Sequence, residues 1–403
     1  MTSPPAKSLI PRRRWSRSVF YGLARSVRVL FFNEGNLGTH ILGQGRLEAT
    51  LRAHIGDRVE ASFATLPPQG RTARAAIQRP LPLLHRLDAD LRTARWHLVQ
   101  PLRARRAVLR EVRRHKPDVV HIHSHSIALR LGDLMRRLPV ALSLDVTIGD
   151  WSSMPAWADD RRIVQLELKP ALAAERRILG RAALVLAWTG WAKRRVQEIA
   201  PHANVVEHHP GLDLEAFSPG PDERPEGLPR ILFVGGRFAE KGGEDLLAAL
   251  EGELGRTVEL DLVTPADVPE RPGVRVHRLD ADDPELLRLR RQAAVACLPS
   301  YGDAAPWAVL EAMACGTPVV GSNVGGIPDL LGDGEAGVIV PYGDRRALRE
   351  ALLGLIADEP RRRALGAAAR RRCELRYDAR RQTDVLLDLL AGLSAPRSAA
   401  GGR

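Results

Sequence analysis

Lysine is nearly absent from this 403-residue chain: only Lys7, Lys116, Lys169, Lys193 and Lys241 occur, so arginine carries most of its positive charge. Three cysteines (Cys297, Cys315, Cys373) form neither a disulfide framework nor a metal-ligand spacing, which favours a reducing, cytoplasmic setting. No apolar run approaches the ~20 residues of a membrane-spanning helix. The basic N-terminal stretch lacks the long apolar core and small-residue cleavage site of a secretory signal, so residues 1–26 are expected to be a basic leader. Aromatic residues make up 4% of the chain and no nucleic-acid recognition motif occurs, which argues against specific nucleic-acid binding. Neither a P-loop nor a G-x-G-x-x-G fingerprint is present.

The formal net charge is +12, unevenly spread. Residues 1–213 carry 35 basic and 18 acidic side chains, whereas the remainder carries 25 and 30. A uniform arginine bias would load both halves equally, so the first half is expected to meet an anionic partner: a phosphorylated acceptor, an acidic membrane face or nucleic acid. The arginines of 71–116 admit two readings, a solvated helix face and a surface turned to membrane or phosphate.

Short apolar runs alternate with helical patterns along most of the chain. VRVLFF (from Val27), VVHIH (from Val119), VALSLDV (140–146) and AALVLAW (182–188) read as buried strands, with a helix over roughly 160–179. After a Pro- and Gly-rich joint at 208–230, the alternation restarts with RILFV and runs to GVIV. Strand–helix alternation implies parallel sheets covered on both faces. The expected fold is therefore α/β with two doubly wound Rossmann-like domains facing across a cleft. The first is expected over 27–213, a linker over 214–229, the second over 230–376 and a flexible tail over 394–403. Ligands of such sheets bind at the carboxyl ends of the strands, so the site should draw on loops from both domains.

Two segments concentrate the chemistry. In 235–243, glycines follow a strand and precede a helix, where backbone approaches a ligand closely and a helix N-terminus favours an anion. There Gly236 opens the loop, and Arg237 and Lys241, four apart in the loop and first helical turn, are placed to meet one diphosphate. In 299–331, Asp303 lies in a loop after a strand, and Glu311 follows one turn into an apolar helix. A carboxylate among Leu310, Ala312 and Met313 is costly to bury without hydrogen bonds, which a ribose diol would supply. The amides of Ala308, Val309 and Leu310 at that helix start would face the diphosphate. In the first half, alternation places His121, His123 and His125 on one face if the strand runs through them; lacking a carboxylate at useful spacing, they are not expected to hold a metal.

The stretch 299–331, with its acidic-x7-Glu spacing and LEAMA-x-G-x-P-V-V run, resembles the signature of glycosyltransferase family 4. Residues 231–250 are similar to that family's F-V-G-R…E-K-G loop, and AWTGWAKRRV (187–196), followed by the HHPGLDLEAFSP joint (208–219), resembles its interdomain crossing. The resemblance covers about 115–345. It implies a GT-B architecture, an acceptor-binding domain followed by a donor-binding one, and a final helix near 377–393 packed back on the first domain. It implies retaining transfer from a nucleotide-diphosphate sugar to a hydroxyl acceptor, with no cofactor and no metal. Arg237 and Lys241 take the diphosphate roles, Glu311 the ribose contact, and Asp303 the contact to sugar hydroxyls, where the family has a Glu one methylene longer. His123 falls near the donor sugar. Gly38 and Thr39 approach the donor phosphates or acceptor, and His125, Asp145 and Asp150 are candidate acceptor contacts. Catalytic assignments are thus His123, Asp303 and Glu311.

The basic first half adds the expectation of an anionic or lipid-linked acceptor, with peripheral contact at the acidic inner face of a membrane. Lys241→Ala or Glu311→Ala is expected to abolish transfer and leave the fold intact. Two other functions fit the same residues less fully: a nucleotide-sugar epimerase on the same fold, and a basic membrane- or nucleic-acid-binding protein without catalysis.

Overall fold

The computed structural model describes residues 26–35, 39–56, 58–79, 91–157, 162–220 and 226–394. Most of the expected leader and tail lies outside these residues. The described chain forms two six-stranded sheets in which every pairing is parallel.

The first sheet has the order β2-β1-β3-β4-β5-β6. It contains β1 (Val27–Asn33), β2 (Val59–Thr65), β3 (Val119–His123), β4 (Val140–Leu144), β5 (Leu184–Ala187) and β6 (Val205–Glu207). The central strands are rich in Val, Ile and Leu because helices cover both their faces, and β3, β4 and β5 are buried along their whole length. The sequence pattern does not reveal β2 and β6. Both are edge strands, and β2 (VEASFAT) is largely half-buried while β6 spans three residues. A strand paired on one side only needs less apolar surface and gives a weaker signal.

The second sheet contains β7 (Arg230–Val234), β8 (Glu259–Val263), β9 (Val274–His277), β10 (Val295–Leu298), β11 (Val319–Ser322) and β12 (Val338–Val340). Its order, β12-β11-β10-β7-β8-β9, is that of a dinucleotide-binding sheet. The winding direction reverses between β7 and β10, and in the first sheet between β1 and β3. Loops leaving neighbouring strands at such a point turn to opposite sides and leave a crevice.

The arginine-rich stretch 71–116 contains the helices Arg71–Gln78 and Arg92–His115. Some of its arginines bind the domain internally: Arg105 pairs with Asp133, and Arg103 donates to the carbonyl oxygens of Pro67 (2.7 Å) and Pro68 (2.9 Å). Others, including Arg92, Arg106, Arg110 and Arg113, are exposed.

The chain crosses between the domains twice, and the crossings touch. Leu212 N donates to Tyr377 O (2.7 Å) and Ala379 N to Leu212 O (3.0 Å). Gly211 permits this approach, since its φ is +84° and a Cβ there would lie 2.5 Å from Ala379 Cα. The last helix, Ala379–Ser394, lays Leu386, Leu387 and Leu390 against Val29, Phe31 and Leu186 of the first sheet. A second bond between domains is made by Asp329. Its carboxylate accepts from Trp191 N, at the start of helix Gly190–Ile199, and from Arg194 Nη2 at 3.1 Å.

Candidate functional site

The loops after β7 and β10 meet at the reversal point of the second sheet. After β7, Gly236 and Arg237 are exposed. Lys241 N donates to Arg237 O (2.9 Å), closing one turn that sets both residues at the same end of the strand. The following helix, Gly243–Ala249, starts two residues beyond Lys241, so this lysine lies in the preceding turn and not in the helix. Gly242 makes the junction possible: its φ is +78°, and a Cβ there would lie 2.1 Å from Pro299 O, in the loop after β10. Tyr301 N donates to Glu240 O (3.0 Å), tying the two loops together.

This packing brings Lys241 to Asp303. The lysine Nζ donates to the Asp303 carboxylate and to Gly302 O at 3.3 Å, with the two side chains 15% and 13% exposed. Burial pushes the Asp303 carboxyl above its ordinary range, and the charge of Asp145 adds to that rise while Lys241 opposes it. Asp145, at the end of β4, is therefore within electrostatic reach of Asp303 from the first domain. Trp157 of the first domain covers the same pair, its ring centre 5.4 Å from Lys241 Nζ. The loop carrying Asp303 packs on the Gly325-Gly326 turn, where a Cβ on Gly326 would stand 2.0 Å from Ala304 O.

Glu311 lies in helix Trp307–Ala314, which starts after Pro306. Val309 N and Leu310 N donate to Pro306 O at 3.2 and 3.4 Å. Of the three amides expected to face a ligand, these two are engaged by the helix's own first turn. Glu311 is buried, and its Oε2 accepts from Arg290 Nη2. Sequence reading passed over Arg290. The signal was present: Leu286, Leu289 and Arg290 share one face of helix Pro284–Gln292, so an arginine stands where a leucine is expected.

In the first domain, β3 ends at His123 and Ser124 turns the chain with φ of 78°. His125 then opens the 3₁₀ turn His125–Ala128, so the three histidines do not share one strand face. His121 packs edge-on against Phe31 (5.5 Å), and burial lowers its pKa to about 3, leaving it neutral. His123 is buried 5.3 Å from the ring of Trp188, whose Nε1 donates to Ser143 Oγ (2.9 Å). Trp188 lies 6.1 Å from Trp307 at the start of the Glu311 helix, so His123 is linked through packed rings to the second domain.

His125 turns inward. Its Nε2 is 2.6 Å from Glu175 Oε1, which also accepts from Ile148 N at 2.7 Å. Asp150 is committed to structure as well: it accepts from Thr147 Oγ1 (2.5 Å) and Arg195 Nε (2.7 Å) beneath helix Ile148–Ser153. Each of these two groups is buried and held by a partner on its own side of the cleft. Gly38 lies outside the described residues, and Thr39 is the first residue of helix Thr39–His54. The loop before them contributes a residue that sequence reading did not single out: Glu34, buried, accepts from Ser126 Oγ at 3.4 Å across the β1/β3 crevice.

Residues 228–358, which hold both loops, match the family model described as Glycosyl transferases group 1. The match falls on the second domain. The chain is 34% identical over 188 residues to a D-inositol 3-phosphate glycosyltransferase of Corynebacterium diphtheriae, covering 40% of this chain and 44% of the relative. It is 36% identical over 198 residues to a phosphatidyl-myo-inositol mannosyltransferase of Mycobacterium leprae, covering 44% and 52%. It thus spans about half the length of these relatives. Among solved structures, sucrose-phosphate synthase from Thermosynechococcus elongatus superposes with a TM-score of 0.71 at 20% identity, over 92% of this chain and 99% of that one. Anabaena HepE in complex with UDP superposes with a TM-score of 0.64 at 15% identity, over 91% and 100%. The fold shared with these structures is GT-B, the architecture that the sequence resemblance implies, with the group 1 domain in second place.

Proposed function

We propose that the chain is a retaining glycosyltransferase that moves a sugar from a nucleotide-diphosphate sugar to a hydroxyl acceptor, without a metal. The observation that carries this reading is the pairing of Lys241 with Asp303, one turn from Arg237, at the reversal point of the second sheet. In the reaction the bond from the anomeric carbon to the β-phosphate oxygen breaks and a bond to the acceptor oxygen forms on the same face. The acceptor proton passes to the departing phosphate oxygen. Charge develops on that phosphate, and fixed cations at this place stabilise it most in the transition state. Lys241, now on Asp303, would be shared with the phosphate when donor binds. Asp303 would then orient sugar hydroxyls, with Asp145 facing it from the acceptor side.

The names of the inositol-phosphate and phosphatidylinositol relatives support an anionic, phosphorylated polyol as the acceptor class. A nucleoside diphosphate and its sugar are expected to raise the melting temperature, because a ligand bound only by the native state stabilises it by about 2.7 kcal/mol at 100 times its Kd. Differential scanning fluorimetry with UDP, GDP, ADP and their hexose derivatives tests this; no shift with any of them would remove the donor assignment.

Peripheral membrane contact at the cytoplasmic face forms part of the proposal. Leu98 (45% exposed) and Leu102 (40%) stand one turn apart on helix Arg92–His115, which also carries exposed Arg92, Arg106 and Arg110. Such a mixed face suits an anionic lipid surface. Co-sedimentation with vesicles containing phosphatidylglycerol is expected to exceed that with neutral phosphatidylcholine and to fall with salt; equal recovery on both would remove the membrane from the proposal.

A further inference from the structure

The ion pair between Arg290 and Glu311 is the most deeply buried one between side chains of the group 1 domain, at 2% and 5% side-chain exposure. Taking two charges out of water costs several kcal/mol each, and their attraction rarely yields more stability than apolar side chains of the same volume. Such a pair is therefore a weak device for stability alone, and its geometry points to another use.

Arg290 is fixed from several sides. Its helix, Pro284–Gln292, is capped by Asp283, whose side chain accepts from Glu285 N at 2.8 Å. Its carbonyl oxygen accepts from Thr317 Oγ1 at 2.6 Å, which ties the end of that helix to the turn leaving the Glu311 helix. Its guanidinium lies 5.6 Å from the ring of Phe217. Arg290 also lines a cavity of about 10 Å³ together with Val234, Leu298 and Ala308. Those three stand at the carboxyl ends of β7 and β10 and at the first turn of the Glu311 helix, so the cavity backs the crevice where the two loops meet.

We infer that Arg290 is a positioning residue for donor recognition: it holds the Glu311 carboxylate in the orientation that accepts hydrogen bonds from the ribose hydroxyls of the nucleotide. The inference rests on the nucleotide-sugar reading above. A carboxylate offers about four acceptor directions on its two oxygens. A vicinal diol uses them together only when the carboxylate plane is set, and a Glu side chain is free to turn about its last bond. The hydrogen bond from the planar guanidinium to Glu311 Oε2 restrains that turning, whereas a lysine ammonium is a point charge that restrains it less.

The test compares UDP and GDP with their 2′,3′-dideoxy counterparts by calorimetry on the wild-type chain, Arg290→Lys and Arg290→Met. Wild type is expected to bind the better ribonucleotide about tenfold or more tightly than its dideoxy form. Both variants should lose that discrimination while binding the dideoxy form within about twofold of wild type. Pyrophosphate affinity should not move. Equal loss on both forms of the nucleotide, unchanged discrimination, or failure of both variants to fold would overturn the inference and leave Arg290 a purely structural residue. A wild-type chain that binds neither ribonucleotide nor dideoxynucleotide would overturn the nucleotide-sugar reading, and this inference with it.

Discussion

Lys241→Ala is expected to lower kcat/KM by about 10²–10³, the usual cost of removing one donor aimed at developing charge in a transition state. Arg237 would remain on the same turn, but it is exposed, and its charge is better screened by water than that of Lys241 under Trp157. The substitution also isolates Asp303. Burial already raises the pKa of this carboxyl against the pull of Lys241, and without the lysine it rises further. A group whose folded pKa lies above its unfolded value binds more protons in the native state, so stability falls as pH increases. The variant should therefore melt below wild type at pH 7–8, and the gap should close as the pH is lowered towards 4 and Asp303 takes up its proton. Melting curves across that range, with transfer assayed on the same preparations, check both parts. A gap independent of pH would show that Asp303 does not depend on Lys241, and normal turnover would remove Lys241 from the mechanism.

Glu311→Ala should have a larger effect on the fold than the sequence suggests. Read alone, Glu311 is one carboxylate in an apolar helix, and its loss is expected to spare the structure. In the folded chain its removal strands Arg290, a buried guanidinium whose partner it is. Breaking a buried pair from one side destabilises by about 3–5 kcal/mol, while replacing both charges with apolar groups can be neutral. Glu311→Ala is thus expected to lose both donor binding and stability, and adding Arg290→Met should restore much of the stability but none of the binding. Urea unfolding of the two single variants and the double variant measures the coupling. Additive losses in that cycle would mean that the pair is not energetically linked.

The two results differ because local pattern marks both members of one pair and only one member of the other. Lys241 and Asp303 belong to separate loops that sequence reading assigned to one diphosphate and one sugar, and the crossing of Gly242 beneath Pro299 O brings them into contact. Arg290 precedes Glu311 by two elements, and nothing in local pattern joins an arginine at the end of one helix to a carboxylate on the next. The same applies to Asp150 and His125. Each follows a strand in the sequence, and each is held by a partner from a distant helix, Arg195 in one case and Glu175 in the other.

What the sequence determined by itself was the alternation of strands and helices, the two domains it builds and the glycine-rich turns after β7 and β11. These follow from apolar runs and from glycines, whose preferences act within a few residues and need no distant partner. The resemblance of 231–250 and 299–331 also placed the group 1 domain. Tertiary structure alone decided the strand order, and with it the crevice between β7 and β10. It decided too which charged groups face that crevice and which are held by partners elsewhere. Parallel neighbours such as β7 and β10 are joined only through long crossovers. Their adjacency is therefore a property of the whole packed domain, and so is the pairing of charges that it brings together.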